Sequence, residues 1–363
     1  MKTKKLLPVI LISVCLVLSS CLKEEVMKQP YAGFTPVDIS DGWIISDPSA
    51  ENMDPVELDR IFRDVYRDDD TWMMKSLLVF RNGKLVAECY LKNESDRTEV
   101  DAIWSCTKQV NAIITGIAID QGYISSIDDP IEKYLPEYIE RFPDKEGILI
   151  RHLLTMKSGI AFDNGKDDDL LKMHKVDNSI DYVLGFDLID QPGTMYNYKD
   201  CDPHILSAIV QKTTGKPLDE FGQEVLFEPL GITNYYWHRY SDGVTLGSWG
   251  ILTTPRELAK VAQCVLDGGR YDNRQIIPQD WLQEMLSIQV PDVYGDFAFG
   301  YLWWSIPSKG LYFAQGHGGQ YAFIIPSKQM LVVITCYPNV DDDCNLPIEY
   351  HIGIVEKIEA AAF

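Results

Sequence analysis

The order of strand-like and helix-like segments along the chain is the strongest constraint on its fold. Two short apolar runs flank RNGK at residues 81–84. Asn-Gly between such runs predicts a tight β-hairpin. Strand-like runs return late, in LYFAQGHGGQYAFIIPSKQMLVVITCYP, and mainly helical patterns fill the stretch between. We therefore predict an α+β fold, in which early and late strands share one antiparallel sheet and an all-helical lobe is inserted between them.

Three helices have clear sequence signals. Asp54 followed by Pro55 is typical of a helix start. The stretch 104–122 has apolar residues at helical spacing and ends in a glycine. In TTPRELAKVAQCVLDGG, Thr254 and Glu257 have the spacing of a capping box. These signals predict helices at each of the three places.

The N-terminus has the pattern of an export signal. MKTKK is basic, the next thirteen residues are apolar, and LSSC places small residues before a cysteine, as in a bacterial lipoprotein cleavage box. We predict a signal peptide over 1–20 and lipidation of Cys21; the alternative is an ordinary signal peptide cleaved nearby. LKEE after Cys21 resembles a surface-export tag, although plain linkers also carry such acidic residues. The predicted location is an extracytoplasmic lipoprotein of a bacterial envelope, in the outer membrane and exposed at the surface if the tag is real.

The rest of the chain divides into a lead-in and one large domain. Residues 21–52 are polar and punctuated by Pro and Gly, and they are predicted to form a tether and lead-in. Residues 53–363 would form the domain. Its α/β lobe would cover about 53–103 and 240–363, and its helical lobe about 104–239. No later segment is typical of a membrane span, so contact with the membrane is expected through the lipid anchor only.

Charge and ligand spacing exclude several function classes. With 54 acidic and 33 basic residues, the formal net charge is −21, which disfavours nucleic-acid binding. There is no CxxC spacing and no HxxxH pair. We therefore predict no metal and no cofactor. The sequence does not indicate an oligomeric state.

Three motifs carry residues suited to nucleophilic catalysis. Ser105 and Lys108 form Ser-x-x-Lys at a predicted helix start, PGTMYNYKDCD contains Tyr198 and Asp200, and QGHGGQYAF contains His317. Ser-x-x-Lys alone is common by chance. The ordered set, together with LLVFRNGKLVAE, LLTMKSGI, LFEPLGI, GILTTPRELAK and GYLWW, resembles the serine beta-lactamase and penicillin-binding superfamily over about residues 42–338. Within this superfamily the motifs resemble in particular the class C-like esterase and 6-aminohexanoate-dimer hydrolase branch.

The resemblance implies a beta-lactamase-like fold and a role for each motif. Ser105 would be the nucleophile and Lys108 its base, which requires a pKa well below the ~10.4 of a free lysine. Tyr198 would relay protons between Ser105, Lys108 and the leaving group. The backbone amides of Ser105 and Gln320 would bind the oxyanion.

The third motif would also shape the substrate site. Gly318 and Gly319 would let the substrate lie against the strand, because they have no side chains. Five aromatic residues could line an acyl pocket or belong to the core: Trp104, Trp249, Tyr301, Trp303 and Trp304.

Two motif positions depart from the beta-lactamase pattern. Asp200 stands where the family has Asn, and it could neutralise Lys108, bind a substrate amine or lie in a solvated turn. His317 stands where the family has Lys, so a fixed positive charge for an anionic substrate is missing. Both changes favour small uncharged esters or amides over penicillins. Cys106 and Cys201 each neighbour a motif residue, and because the resemblance brings the motifs to one cleft, we expect a disulfide between them.

The sequence thus predicts a serine hydrolase that acts on small-molecule esters or amides through an acyl-enzyme on Ser105. One alternative is a D,D-peptidase or weak beta-lactamase that acts on cell-wall peptides or beta-lactams. Another is a catalytically silent surface binding protein on the same scaffold.

Overall fold

The computed structural model describes residues 28–165, 169–337 and 346–363. The predicted signal peptide and Cys21 lie outside the described residues. The strands are β1 (Ile44–Ile45), β2 (Met74–Arg81), β3 (Lys84–Tyr90), β4 (Asp101–Ala102), β5 (Tyr235–Trp237), β6 (Ile251–Thr253), β7 (Arg270–Tyr271), β8 (Arg274–Gln275), β9 (Val290–Tyr294), β10 (Phe297–Phe299), β11 (Trp304–Ile306), β12 (Leu311–Gly316), β13 (Gln320–Ile325) and β14 (Met330–Cys336). The helices are α1 (Pro55–Arg67), α2 (Cys106–Asp120), α3 (Pro136–Ile139), α4 (Ile150–Leu154), α5 (Asp169–Met173), α6 (Ser179–Leu184), α7 (Cys201–Thr214), α8 (Leu218–Gly222), α9 (Pro255–Leu266), α10 (Gln279–Leu286) and α11 (Ile348–Ala360).

A nine-stranded sheet joins the two ends of the described chain. Its strand order is β1-β3-β2-β14-β13-β12-β11-β10-β9. The predicted pairing of early with late strands is confirmed at β2 and β14, where Val79 lies opposite Val332 in an antiparallel ladder. The predicted hairpin is confirmed as well: Asn82 and Gly83 between β2 and β3 have φ values of 52° and 75°, as a type I′ turn requires. The sheet is mixed rather than purely antiparallel, because β1 runs parallel to β3.

The N-terminal lead-in packs against the body from residue 28 onward. The Gln29 amide donates to the Leu91 carbonyl at 2.8 Å. The ring of Trp43 packs on Phe80, with centroids 4.3 Å apart. The part of the predicted lead-in that the structure describes, residues 28–52, therefore packs on the folded body.

Helix α2 runs through the centre of the molecule and is buried from Cys106 to Ala118. It contacts β12 of the sheet on one side and α7 of the helical block on another. Close packing is possible because α2 contains Gly116, where a Cβ atom would overlap the indole of Trp281. This indole donates to the Ala112 carbonyl at 3.1 Å. Helix α2 therefore fixes its first turn, which begins after Ser105, relative to both parts of the fold.

Helix α9 packs against β13 and β14 and begins with the predicted cap. The Glu257 amide donates to Thr254 Oγ1 at 3.2 Å. Arg256 in its first turn is almost fully buried and donates from Nε and a terminal nitrogen to both carboxylate oxygens of Glu88, at 3.0 and 2.7 Å. Arg256 also donates a hydrogen bond from its other terminal nitrogen to Asp41 in the lead-in, at 3.1 Å. This network ties α9 to β3 and to the lead-in.

No helix in the described part of the chain is both long enough and apolar enough to cross a membrane.

We expect Arg256→Leu to lower the free energy of unfolding by about 2–3 kcal/mol, because the buried Glu88 carboxylate loses two charge-assisted hydrogen bonds and keeps, as an ion pair, only the longer one with Arg97 at 3.2 Å. Urea denaturation monitored by circular dichroism measures the change. Arg60→Leu is the control: Arg60 is exposed and pairs only with neighbours on its own helix, so we expect no measurable change. Equal stabilities of the two variants would contradict the structural role of the Arg256 network.

Candidate active site

Ser105 lies at the start of α2 on a strained turn. Trp104 directly before it has φ of 48°, a left-handed conformation that costs on the order of 1–3 kcal/mol for a residue with a side chain. Strand β12 approaches this turn so closely that a Cβ atom on Gly316 would overlap the Ile103 carbonyl oxygen. The turn therefore packs directly against β12, and Ser105 lines an open cleft.

Lys108 lies one helical turn after Ser105 and is completely buried. Its Nζ donates to Ser105 Oγ at 2.7 Å and to the Ser248 carbonyl at 3.0 Å. It also forms an ion pair with Asp200, with Nζ 2.6 Å from Oδ1. The structure thus brings the first two predicted catalytic residues into direct contact and adds a carboxylate to them.

The ion pair reverses the expected titration of Lys108. Burial by itself lowers the pKa of Lys108, but the negative charge of Asp200 and the contact with Tyr198 outweigh it, so the pKa is raised above the ordinary lysine value. The resting site therefore does not favour the lowered lysine pKa that the role of base was expected to require. The sequence left three roles open for Asp200, and it could not decide among them because the choice depends on a contact between two helices. Because the pKa is raised, the pair stabilises the fold below the ordinary lysine pKa, and this contribution is lost as pH rises through the folded pKa.

Asp200 is held at the N-terminal end of α7. It is 3% exposed, and its amide donates to Asn164 Oδ1 at 2.9 Å. The partial positive charge at a helix N-terminus favours a carboxylate there. Of the three roles left open by the sequence, the structure shows the first: Asp200 neutralises Lys108.

Tyr198 completes the cluster. Its ring lies beneath Lys108, with Nζ 5.0 Å from the ring centroid. Ser105 and Lys108 both lie close enough to its hydroxyl to lower its pKa. Burial raises the pKa of Tyr198, although Lys108 opposes the change. At neutral pH the Tyr198 phenol and the Ser105 hydroxyl are therefore neutral, and both lie beside the ion pair of Lys108 and Asp200.

The third motif forms the turn between β12 and β13. Gly318 and Gly319 have φ values of 75° and 90°, which side chains rarely adopt. A Cβ atom on Gly319 would also come within 2.8 Å of Cys336 Sγ. His317 is exposed, lines the cleft, and its ring lies 5.6 Å from the ring of Trp104.

Gln320 begins β13 with its side chain turned into the protein. Its Nε2 donates to the Cys336 carbonyl at 2.9 Å, and its Oε1 accepts from the Cys336 amide at 3.3 Å. The Gln320 carbonyl in turn accepts from Cys106 Sγ at 3.5 Å. This contact links Cys106, the neighbour of Ser105, with Gln320, which is predicted to supply the second oxyanion donor. Because the side chain of Gln320 is engaged with Cys336, its backbone is the part that would contact a substrate.

The predicted disulfide between Cys106 and Cys201 is wrong, because both are free thiols. The two cysteines begin different helices and contact different partners. Cys106 contacts the Gln320 carbonyl, and Cys201 contacts Asp202 Oδ1 on its own helix at 3.4 Å. Burial raises the pKa of both thiols. Three further described cysteines are also free and buried: Cys89, Cys264 and Cys336.

The cleft has a volume of about 480 Å³ and receives residues from distant parts of the chain. Of the predicted aromatic residues, Trp304 lines it, Trp104 packs between His317 and Trp249, and Tyr301 and Trp303 are buried in the core. The sequence analysis did not predict five lining residues that lie outside its motifs: Asn164, Tyr294, Phe297, Ile348 and Glu349. None stands in a motif that carries chemistry, so only the fold reveals them.

Comparison with known proteins identifies the family of the chain. Residues 74–344 match the beta-lactamase family. The chain belongs to the beta-lactamase family. An Escherichia coli K12 protein described as a candidate D-alanyl-D-alanine carboxypeptidase is 22% identical, over 64% of this chain and 70% of that protein.

Two solved structures share the fold. A Bacillus anthracis protein described as a candidate 6-aminohexanoate-dimer hydrolase superposes with a TM-score of 0.70 at 18% identity, covering 94% of this chain and 91% of that one. The hydrolase EstCE1, titled as having promiscuous acyltransferase activity, superposes with a TM-score of 0.68 at 14% identity, covering 84% and 97%. The predicted fold is thereby confirmed.

We expect Asp200→Asn to lower the pKa of Lys108 below the ordinary lysine value, because burial is then no longer outweighed by a negative charge. The 13Cε resonance of Lys108 in 13C-lysine-labelled protein, assigned with Lys108→Met, reports this titration. Asp202→Asn is the matched control, since Asp202 lies on the same helix but accepts a hydrogen bond from Ser158 at 2.6 Å. An unchanged Lys108 titration in Asp200→Asn would contradict the assigned role of the ion pair.

Proposed function

We propose that this member of the beta-lactamase family is a serine hydrolase that forms an acyl-enzyme on Ser105. Its substrates would be small esters or short amides without a carboxylate near the scissile bond. The observation that carries the proposal is the 2.7 Å contact between Ser105 Oγ and a fully buried Lys108 that is itself paired with Asp200. A binding protein has no need for such a costly buried charge next to a partly buried hydroxyl that lines a cleft.

In acylation, Ser105 Oγ would attack the carbonyl carbon while its proton passes to Lys108 Nζ. Lys108 is already protonated, so it would hand one of its own protons to Asp200 Oδ1 in the same step. This relay would leave Lys108 as an ammonium, Asp200 as a carboxylic acid and the negative charge on the oxyanion, so the net charge of the site would not change. The new oxyanion would be bound by the backbone amides of Ser105 and Gln320.

Collapse of the tetrahedral intermediate requires a proton on the leaving group. Tyr198 would give its phenolic proton to the leaving oxygen or nitrogen. Lys108 would then return a proton to Tyr198, and Asp200 would return a proton to Lys108. The serine proton thus leaves with the alcohol or amine, and all three residues return to their resting states. Water would then attack the ester by the same route in reverse, and Ser105 would regain its proton.

The second candidate is a D,D-peptidase or weak beta-lactamase. The Escherichia coli relative supports it, since its description names D-alanyl-D-alanine carboxypeptidase activity. The cleft favours the first candidate, because His317 replaces the lysine of beta-lactamases and no Lys or Arg lines the cavity within the described residues. A carboxylate on the substrate would therefore meet no fixed positive charge at the wall.

For the cellular setting, we propose a protein anchored by lipid at Cys21 on the outside of the cytoplasmic compartment. The basic, apolar and small-residue segments of the N-terminus support this proposal. Metabolic labelling with an alkyne fatty acid, compared between wild type and Cys21→Ala, tests it. Unlabelled wild-type protein would contradict it.

We expect the purified protein to hydrolyse p-nitrophenyl butyrate, and Ser105→Ala to lower kcat by at least about 10³-fold, as loss of a nucleophile does. Asp200→Asn should lower kcat by about 10²-fold, since the final proton acceptor is removed. Stopped assays at saturating substrate measure both values, and Ser287→Ala serves as the control, because this serine is exposed at the end of α10. Faster turnover of penicillin G than of the ester would favour the second candidate, and Ser105-independent turnover would contradict both.

A further inference from the structure

A fully buried carboxamide lies one helical turn beyond Lys108. Asn111 of α2 donates from Nδ2 to two backbone carbonyls, that of Pro203 at 2.7 Å and that of Gly247 at 3.0 Å. Thr115, one turn further along the helix, donates from Oγ1 to Asn111 Oδ1 at 3.2 Å. The NH2 end of the carboxamide thus faces two acceptors and its oxygen faces a donor, so the side chain satisfies all three neighbours at once.

The two carbonyls belong to the segments that supply partners to Lys108. Pro203 lies in the first turn of α7, three residues after Asp200, whose carboxylate pairs with Lys108. Gly247 directly precedes Ser248, whose carbonyl accepts from Lys108 Nζ at 3.0 Å. The carboxamide therefore fastens both segments to the helix that carries the lysine itself.

We propose that Asn111 is a positioning residue, which keeps Asp200 in contact with Lys108 during acylation. The inference rests on the proposed function and adds to it a residue that does not touch the substrate. Asn111 does not line the cleft, so it would act through α7 and the loop at 247–248. Proton transfer from Lys108 Nζ to Asp200 Oδ1 requires hydrogen-bond distance, and their separation of 2.6 Å meets this need only while α7 stays in place.

The three segments are closely packed where they meet. A Cβ atom on Gly247 would lie 2.3 Å from the Pro203 carbonyl oxygen and 2.8 Å from Asn111 Nδ2, so only a glycine fits there. A second link joins α7 to the same loop, because Ser207 Oγ donates to the Thr245 carbonyl at 2.7 Å. This bond does not involve α2. Replacement of Asn111 would therefore leave α7 and the loop joined to each other, while their position relative to α2 could change.

Asn111→Leu tests the proposal, because leucine has a similar volume and donates no hydrogen bond from its side chain. We expect kcat for p-nitrophenyl butyrate to fall on the order of tenfold with KM nearly unchanged, since Lys108 loses its fixed partners while the cleft wall is untouched. The 13Cε resonance of Lys108 should titrate at lower pH than in wild type, because Asp200 then opposes the effect of burial less fully. Tyr198, which also faces the ammonium group, is unaltered in this variant.

Gln109→Met is the matched control. Gln109 is also a buried carboxamide on α2, but its Nε2 donates to the Leu302 carbonyl, at 2.5 Å, rather than to α7 or the loop at 247–248. Both variants lose buried hydrogen bonds, and we expect only Asn111→Leu to change kcat and the Lys108 titration. Equal changes in the two variants, or an Asn111→Leu protein with the kcat and titration of wild type, would overturn the inference.

Thr115→Val is a milder variant for the case that Asn111→Leu does not fold. It keeps Asn111 and removes the hydrogen bond that orients its carboxamide. We expect kcat to fall about threefold, as for loss of one modest hydrogen bond, and the Lys108 titration to shift in the same direction. A titration equal to that of wild type would overturn the inference.

The titration needs no substrate, so it separates the inference from the proposed function. Wild-type protein without Ser105-dependent hydrolysis would overturn the proposed function, and the titration would still decide whether Asn111 holds the ion pair.

Discussion

The ion pair between Lys108 and Asp200 is the interaction on which the site depends. It joins the first turn of α2 to the N-terminal end of α7, and so connects the helix that follows the nucleophile with the helical block. Two charges removed from water are tolerated only because each has a close partner of opposite sign. Loss of either side chain would leave an unpaired charge next to Ser105. We expect such a loss to disturb the local structure and to slow the reaction.

The rest of the fold can be understood as the support for this pair. The sheet brings β12 against the turn before Ser105, where only a glycine fits at position 316. The hydrogen bond from Cys106 to Gln320 then sets the start of α2 against the start of β13. Strain at Trp104 is maintained by these contacts, since a backbone in that conformation persists only where its surroundings hold it.

Much of this arrangement was predictable from local patterns. The Asn-Gly hairpin, the capped helix α9 and the ordered motifs at Ser105, Tyr198 and His317 are short-range signals, and each appears where the sequence indicated it. The strand pairing of β2 with β14 followed from placing early and late strands in one sheet.

What could not be predicted depends on contacts between distant residues. The protonated state of Lys108 depends on Asp200, which lies on another helix, and the free thiol of Cys106 depends on where its side chain points. The lining of the cleft by Glu349 arises because α11 returns to the active site late in the chain. None of these has a local sequence signal.

The measurement that tests the account most directly is intact-mass spectrometry after incubation of the purified protein with a fluorophosphonate probe. The account predicts a single adduct that peptide mapping places on Ser105, its loss in Ser105→Ala, and slower labelling in Asp200→Asn. A folded protein that acquires no adduct, or one that is labelled as fast without Asp200 as with it, would contradict the claim that the buried ion pair activates this serine.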